Sequence, residues 1–141
     1  MNYEYLDHGA DVGVRARAQT FTGLLASAAR ALFSLMADLE GVRKSTEERL
    51  TVEGEDEEDL LYEWLGELLS LSQLQMTVYS EFDLEVEKTA DRLTLHGRLR
   101  GEEIDPSRHS LGTEVKGITY QGLEVTSPDP DEWSCVFVVD V

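Results

Sequence analysis

Little in this chain of 141 residues can cross-link it, and little can hold a polyanion. The one cysteine, Cys135, sits in an apolar run near the end; it has no intrachain disulfide partner and no zinc-type spacing, so a buried, inert thiol is expected. Basic residues are scarce, 12 Lys and Arg against 29 Asp and Glu, for a formal charge of −17. Such a charge disfavours non-specific phosphate binding and carries no basic footprint for RNA or DNA, so no direct nucleic-acid binding is expected. It suits a protein partner with a basic surface or a bound cation, and equally plain solubility or a hot or saline habitat. No apolar run reaches the roughly 18 residues of a membrane span. The first residues lack a basic segment followed by an apolar stretch, so no signal peptide is expected, and a cytoplasmic location is. A Gly-rich phosphate loop, a nucleophile elbow and a His-x-x-x-His pair are all missing.

What is present reads as alternating strands and two helices. Residues 3–6 and 12–18 alternate apolar and polar, which predicts two half-buried strands around a polar loop, Asp7–Asp11. Thr20 is a candidate N-cap for a helix to about Ala37, with Leu24, Leu25, Ala28, Leu32, Leu35 and Met36 on one face. Arg49–Glu53 predicts a short edge-type strand. From Glu47 to Asp59, 8 of 13 residues are acidic, which makes a solvated face and also suits a helix N-terminus. A second helix is predicted from about Glu57 to Leu71 or a little beyond, with Leu60, Leu61, Trp64, Leu65, Leu68 and Leu69 inward. Trp64 and Met76 read as core packing.

The period then changes to two. Phe82–Val86 and Leu93–Leu99 predict a hairpin turning at Thr89-Ala90-Asp91, and Gly101–Gly112 a loop carrying Arg108 and His109. Strands follow at Glu114–Tyr120, Leu123–Thr126 and Ser134–Val139, with a tight turn at Gln121-Gly122 and a looser one over Pro128–Asp131. No internal repeat or linker divides the chain. The expectation is one domain, 1–141, of the α+β class. It has two layers: a largely antiparallel or mixed sheet of about seven or eight strands, and two amphipathic helices packed on one face.

The groups able to do chemistry gather at the two ends. Asp7-His8-Gly9-Ala10-Asp11-Val12-Gly13 holds two carboxylates and an imidazole. His8 suits a general acid, a ligand, or a structural histidine tying its loop to backbone; His109 invites the same structural reading, and His96 reads as a surface residue. At the other end, a strand running to its last residue would put the Asp140 side chain and the Val141 α-carboxylate at one spot. If the first loop lies beside it, Asp11, Asp140 and Val141 form an oxygen-only set suited to Ca²⁺, Mg²⁺ or Mn²⁺. Like charges packed together would make a cation stabilising as well as bound. Lys116, alone in an apolar strand, is a candidate counter-charge or a lysine that snorkels to the sheet edge.

Over nearly its full length the chain resembles the archeases. The resemblance is carried by Asp7–Gly13, Ala31–Met36, Asp59–Leu69, Gly101–Pro106, Thr113–Val125 and the closing Asp140-Val141. It implies a non-catalytic protein that assists an RtcB-type RNA ligase in tRNA splicing, promoting guanylylation of the ligase's histidine, sustaining multiple turnover and broadening nucleotide choice. It implies a metal site at Asp11, Asp140 and Val141. Beside that site, the residues themselves offer Asp7, His8 and Lys116 as candidate supports, and Tyr120 and Gln121 as candidate partner contacts. Calcium is the ion expected first, with Mn²⁺ or Mg²⁺ as alternatives. Two departures stand out: the family usually has threonine where this chain has Gly9, and histidine where it has Gln121. Alternatives of other classes are a chaperone-like module for a tRNA methyltransferase and a small metal-dependent phosphohydrolase using His8. No membrane association is expected.

Overall fold

The computed structural model describes residues 3–141, apart from the side chain of His8. Alternation makes β1 (Tyr3–His8) and β2 (Asp11–Ala18), joined by a two-residue turn, Gly9-Ala10. Gly9 has φ 68, at the first central position of that turn, where glycine costs least. The polar loop expected over Asp7–Asp11 is therefore a tight hairpin, with Asp7 and His8 inside β1.

Helix α1 (Phe21–Met36) starts where the Thr20 hydroxyl accepts the Gly23 N–H at 3.0 Å. Its face of Leu24, Leu25, Ala28, Ala29, Ala31, Leu32 and Phe33 is buried, and the alanines let the helix lie close to β2 and to the later strand Thr77–Lys88. Helix α2 (Glu57–Gln75) starts at Asp56, whose carboxylate accepts the Asp59 N–H at 2.8 Å, with Glu57, Glu58 and Asp59 favourably placed in its first turn. It ends at Met76 in the left-handed region, φ 51. Trp64, wholly buried, donates its indole N–H to the Leu25 carbonyl at 2.9 Å and so joins the two helices.

The remaining strands are β3 (Thr46–Gly54), β4 (Thr77–Lys88), β5 (Leu93–Glu103), β6 (Gly117–Asp129) and β7 (Glu132–Asp140). The α+β class, with seven strands and two helices, stands. The strands form two antiparallel sheets instead of one: four in the order β1-β2-β7-β6 and three in the order β3-β5-β4. Each helix packs on strands of both sheets, α1 on β2 and β4, α2 on β3 and β6; one buried cluster runs through these elements, with the half-buried Ile118, Leu123 and Val125 of β6 packed against it. Cys135 is buried in it, and burial pushes its thiol up to about 12, in keeping with an inert role. No helix among the described residues is long and apolar enough to cross a membrane.

One expected turn does not exist. Gln121-Gly122 does not reverse the chain; β6 continues through it, and Tyr120–Leu123 bulge out between the pairs Thr119–Val138 and Glu124–Val136. Gly122 takes φ 79 there, so the residue that looked like a hairpin signal serves a bulge. The two strands expected on either side are one.

β5 also runs further than expected, to Glu103, because Gly101 pairs on both sides, with Thr46 and Tyr79. A methyl group on Gly101 would overlap the Val78 carbonyl and sit 2.7 Å from the Tyr79 Cα. Gly101→Ala is therefore expected to cost at least ~2 kcal/mol in urea unfolding, since only backbone could yield.

The loop after β5 is held by His109, which is buried. Its Nδ1 accepts the Asp105 N–H at 2.9 Å, and its Nε2 lies 2.9 Å from Glu102 Oε1. The histidine is thus structural. Glu102 also accepts the Arg43 N–H at 2.9 Å and pairs with Arg108, whose guanidinium reaches the Gly41 carbonyl at 3.0 Å. The Arg43 N–H, then His109 and Arg108, hold the Glu102 carboxyl down at about 2. A depressed carboxyl contributes stability above its unfolded value, about 4.3, and loses it as pH falls through its folded value. Thermal melts between about pH 4.3 and 2, the window these two values bracket, are expected to fall less steeply in Glu102→Gln than in the parent.

Candidate functional site

The site follows from strand register. His8 pairs with Asp11 and Val12 with Val139, so Asp11, one step beyond that pair, is level with Asp140; Asp140 in turn pairs with Gly117. His8, Asp11, Asp140 and Gly117 thus form one row across the end of the four-stranded sheet. Directly opposed residues in antiparallel strands present their side chains on the same face. Asp11 is half-buried and Asp140 exposed. Val141 follows, half-buried, its side chain packed against the core, which fixes the end of the strand.

Lys116 enters this arrangement through its backbone. Its N–H donates to the Asp140 carbonyl at 2.7 Å, pinning β7 at its last residue. Its side chain is exposed, which fits a lysine at a sheet edge better than an internal counter-charge. This main-chain contact was not visible in the sequence, where only the ammonium drew attention. Asp7 pairs with Val12 and is exposed; the pleat sets it on the opposite face from Asp11. The side chain of His8 lies outside the described residues. His96 is exposed, with Nε2 3.3 Å from Glu87, as a surface histidine should be.

Tyr120 and Gln121 lie further along β6, in the bulge, both exposed. Tyr120 packs on Tyr62 of α2 with ring centroids 4.7 Å apart. Its phenol is pushed up, first by partial desolvation and then by Asp59, Asp56, Glu58 and Glu55. The bulge thus faces the acidic start of α2, where Glu58 accepts the Val125 N–H at 3.0 Å.

The donor chemistry fits a hard cation. Asp11 and Asp140 offer oxygen alone, and neither is ion-paired with Lys or Arg among the described residues. Among the described residues no group of three His, Cys, Asp or Glu side chains is gathered for a metal. The row itself offers the two side-chain carboxylates of Asp11 and Asp140.

Taken together, fold and site define a small acidic α+β protein whose first hairpin and last strand end on a shared row of carboxylates. Residues 3–141 match the archease protein family. The chain is 36% identical over 141 residues to the protein archease of Methanopyrus kandleri, covering 100% of both chains. It is 33% identical over 139 residues to that of Pyrococcus furiosus, covering 99% of this chain and 98% of the relative. A solution structure of Methanobacterium thermoautotrophicum protein 1598 superposes with a TM-score of 0.89 at 31% identity, covering 99% of each chain. The chain belongs to the archease family.

Proposed function

We propose that this chain is a non-catalytic cofactor of an RtcB-type RNA ligase in tRNA splicing, promoting the ligase's guanylylation and multiple turnover through a divalent-cation site. The observation that carries the reading is the register that sets Asp11 level with Asp140, neither of them ion-paired with Lys or Arg among the described residues. Asp11, Asp140 and the Val141 α-carboxylate would hold the ion, with Ca²⁺ first and Mn²⁺ or Mg²⁺ also suited to oxygen donors. A bound cation supplies positive charge where like charges otherwise repel, and it can be shared with a partner's phosphate-binding centre.

The chain's own part is placement. β2 and β7 carry the two carboxylates side by side, and the Lys116 N–H holds the Asp140 backbone in line. The charge of −17 steers the protein toward a basic surface, an attraction that fades as salt rises.

The terminal carboxylate makes this reading easy to test. Extending the chain by a few residues past Val141 is expected to weaken Ca²⁺ binding, read by titration calorimetry, nearly as much as Asp140→Asn. An extended protein with full affinity would remove the α-carboxylate from the set.

A further inference from the structure

A groove of about 250 Å³ runs along α2 beside the start of β6, between Tyr62, Gly66 and Ser70 on one wall and Gly117 and Ile118 on the other. That is smaller than the roughly 300–1,000 Å³ of small-molecule sites, and suits a side chain with a short length of backbone. Two of its features do nothing for the isolated fold. Gly66 lies in the interior of α2, yet a methyl group there would meet nothing within 4 Å, and alanine is the better helix former. Gly117, on the opposite wall, also has open space around an added methyl and no positive φ. Neither packing nor backbone conformation requires glycine at these positions, and together they keep both walls low.

The second feature is electrostatic. Glu63 and Glu67 line the same groove at i and i+4, neighbours of like charge on the helix surface, a destabilising pair. Neither is ion-paired with Lys or Arg among the described residues. An arginine set between them would satisfy both carboxylates with one planar fork, which a lysine cannot do.

We propose that this groove seats an extended segment of a partner protein, its main chain crossing Gly66 and Gly117 and one arginine side chain held between Glu63 and Glu67. The pair of glutamates disfavours a phosphate-bearing ligand in the same place. Lys116 also lines the groove and donates its N–H to the Asp140 carbonyl, so the docked segment lies next to the carboxylate row. The inference does not depend on the ligase reading, and its probe is a peptide.

The test is a titration of the ¹⁵N-labelled full chain with the blocked pentapeptide Ala-Ala-Arg-Ala-Ala, followed by amide shifts, with Ala-Ala-Glu-Ala-Ala as control. Saturable shifts at Gly66, Glu67 and Gly117 are expected with the arginine peptide alone, at millimolar concentration. The double variant Glu63→Gln/Glu67→Gln should weaken binding by at least about tenfold, the weight of one bidentate arginine–carboxylate contact. Gly66→Ala gives a signature that damage to the fold cannot mimic: a higher Tm together with weaker peptide binding. No saturable shift, equal shifts with the glutamate peptide, or undiminished binding by the double variant would each overturn the proposal. A ligase that ignores the native protein, with the peptide still bound, would defeat the functional reading and leave the groove standing.

Discussion

Asp11→Asn and Asp140→Asn are each expected to weaken Ca²⁺ binding by ~10²-fold, because each removes a full charge from a site with few protein ligands. Thermal stability separates this from damage to the fold. In the apo protein each substitution removes one of two like charges at neighbouring strand ends, so the apo Tm should hold or rise. The parent, with Ca²⁺ at a hundredfold excess over its dissociation constant, should gain about 2.7 kcal/mol by mass action. At the same Ca²⁺ concentration the variants should gain almost nothing. A drop in apo Tm matching the loss of binding would instead make these carboxylates structural. Differential scanning calorimetry with and without Ca²⁺ reads both quantities.

The largest stability effect is expected away from the site. Trp64 is fully buried, stands edge-on to Phe82 at 6.3 Å and donates to the Leu25 carbonyl, so it is packed against the three-stranded sheet and bonded to α1 at once. Trp64→Ala is expected to cost ~3–5 kcal/mol in urea unfolding, from lost burial and the cavity left behind. Trp64→Phe keeps most of the ring volume but no donor, and the lost hydrogen bond should cost about 1 kcal/mol more than the change in packing alone. Both variants should bind Ca²⁺ like the parent wherever they are folded, because the carboxylate row lies at the ends of β2 and β7. Altered affinity in a folded Trp64→Phe would show that the core and the strand ends are coupled.

Local chemistry was legible where local rules decide the outcome. Thr20 caps α1 as its position predicted, and the three-and-four spacing of Leu60, Leu61, Trp64, Leu65, Leu68 and Leu69 marks the buried face of α2. The division into two sheets was not legible, because it depends on which distant strands pair: β2 with β7, and β3 with β5, neither pair adjacent in sequence. Gln121-Gly122 misled for a related reason. A glycine with positive φ serves a turn or a bulge equally well, and only the partner strand, with Phe137 facing four bulged residues, decides between them. Gly9 shows the reverse case. The resemblance set a threonine at this position, and the φ of 68 shows backbone where glycine is the least strained choice.

The candidate site was legible in the sequence only as residue types, without their placement. The residues at the two chain ends suggested Asp11, Asp140 and Val141 as an oxygen-only set, and the family resemblance pointed to the same three. The physical link between them is the antiparallel register of β2 and β7, which no pattern within either strand reveals. The groove beside Gly66 left a trace in the sequence only as a glycine inside a helical run, where nothing distinguishes a packing contact from an open wall until the neighbours are placed.

The most direct test of the central claim is transfer of labelled GTP to a cognate RtcB-type ligase under multiple turnover, with this protein present or absent and with Asp11→Asn alongside. The account predicts stimulation by the native chain and its loss in Asp11→Asn, with the variant still folded. Stimulation undiminished in Asp11→Asn would contradict the carboxylate site, and no stimulation by the native chain would contradict the cofactor function itself.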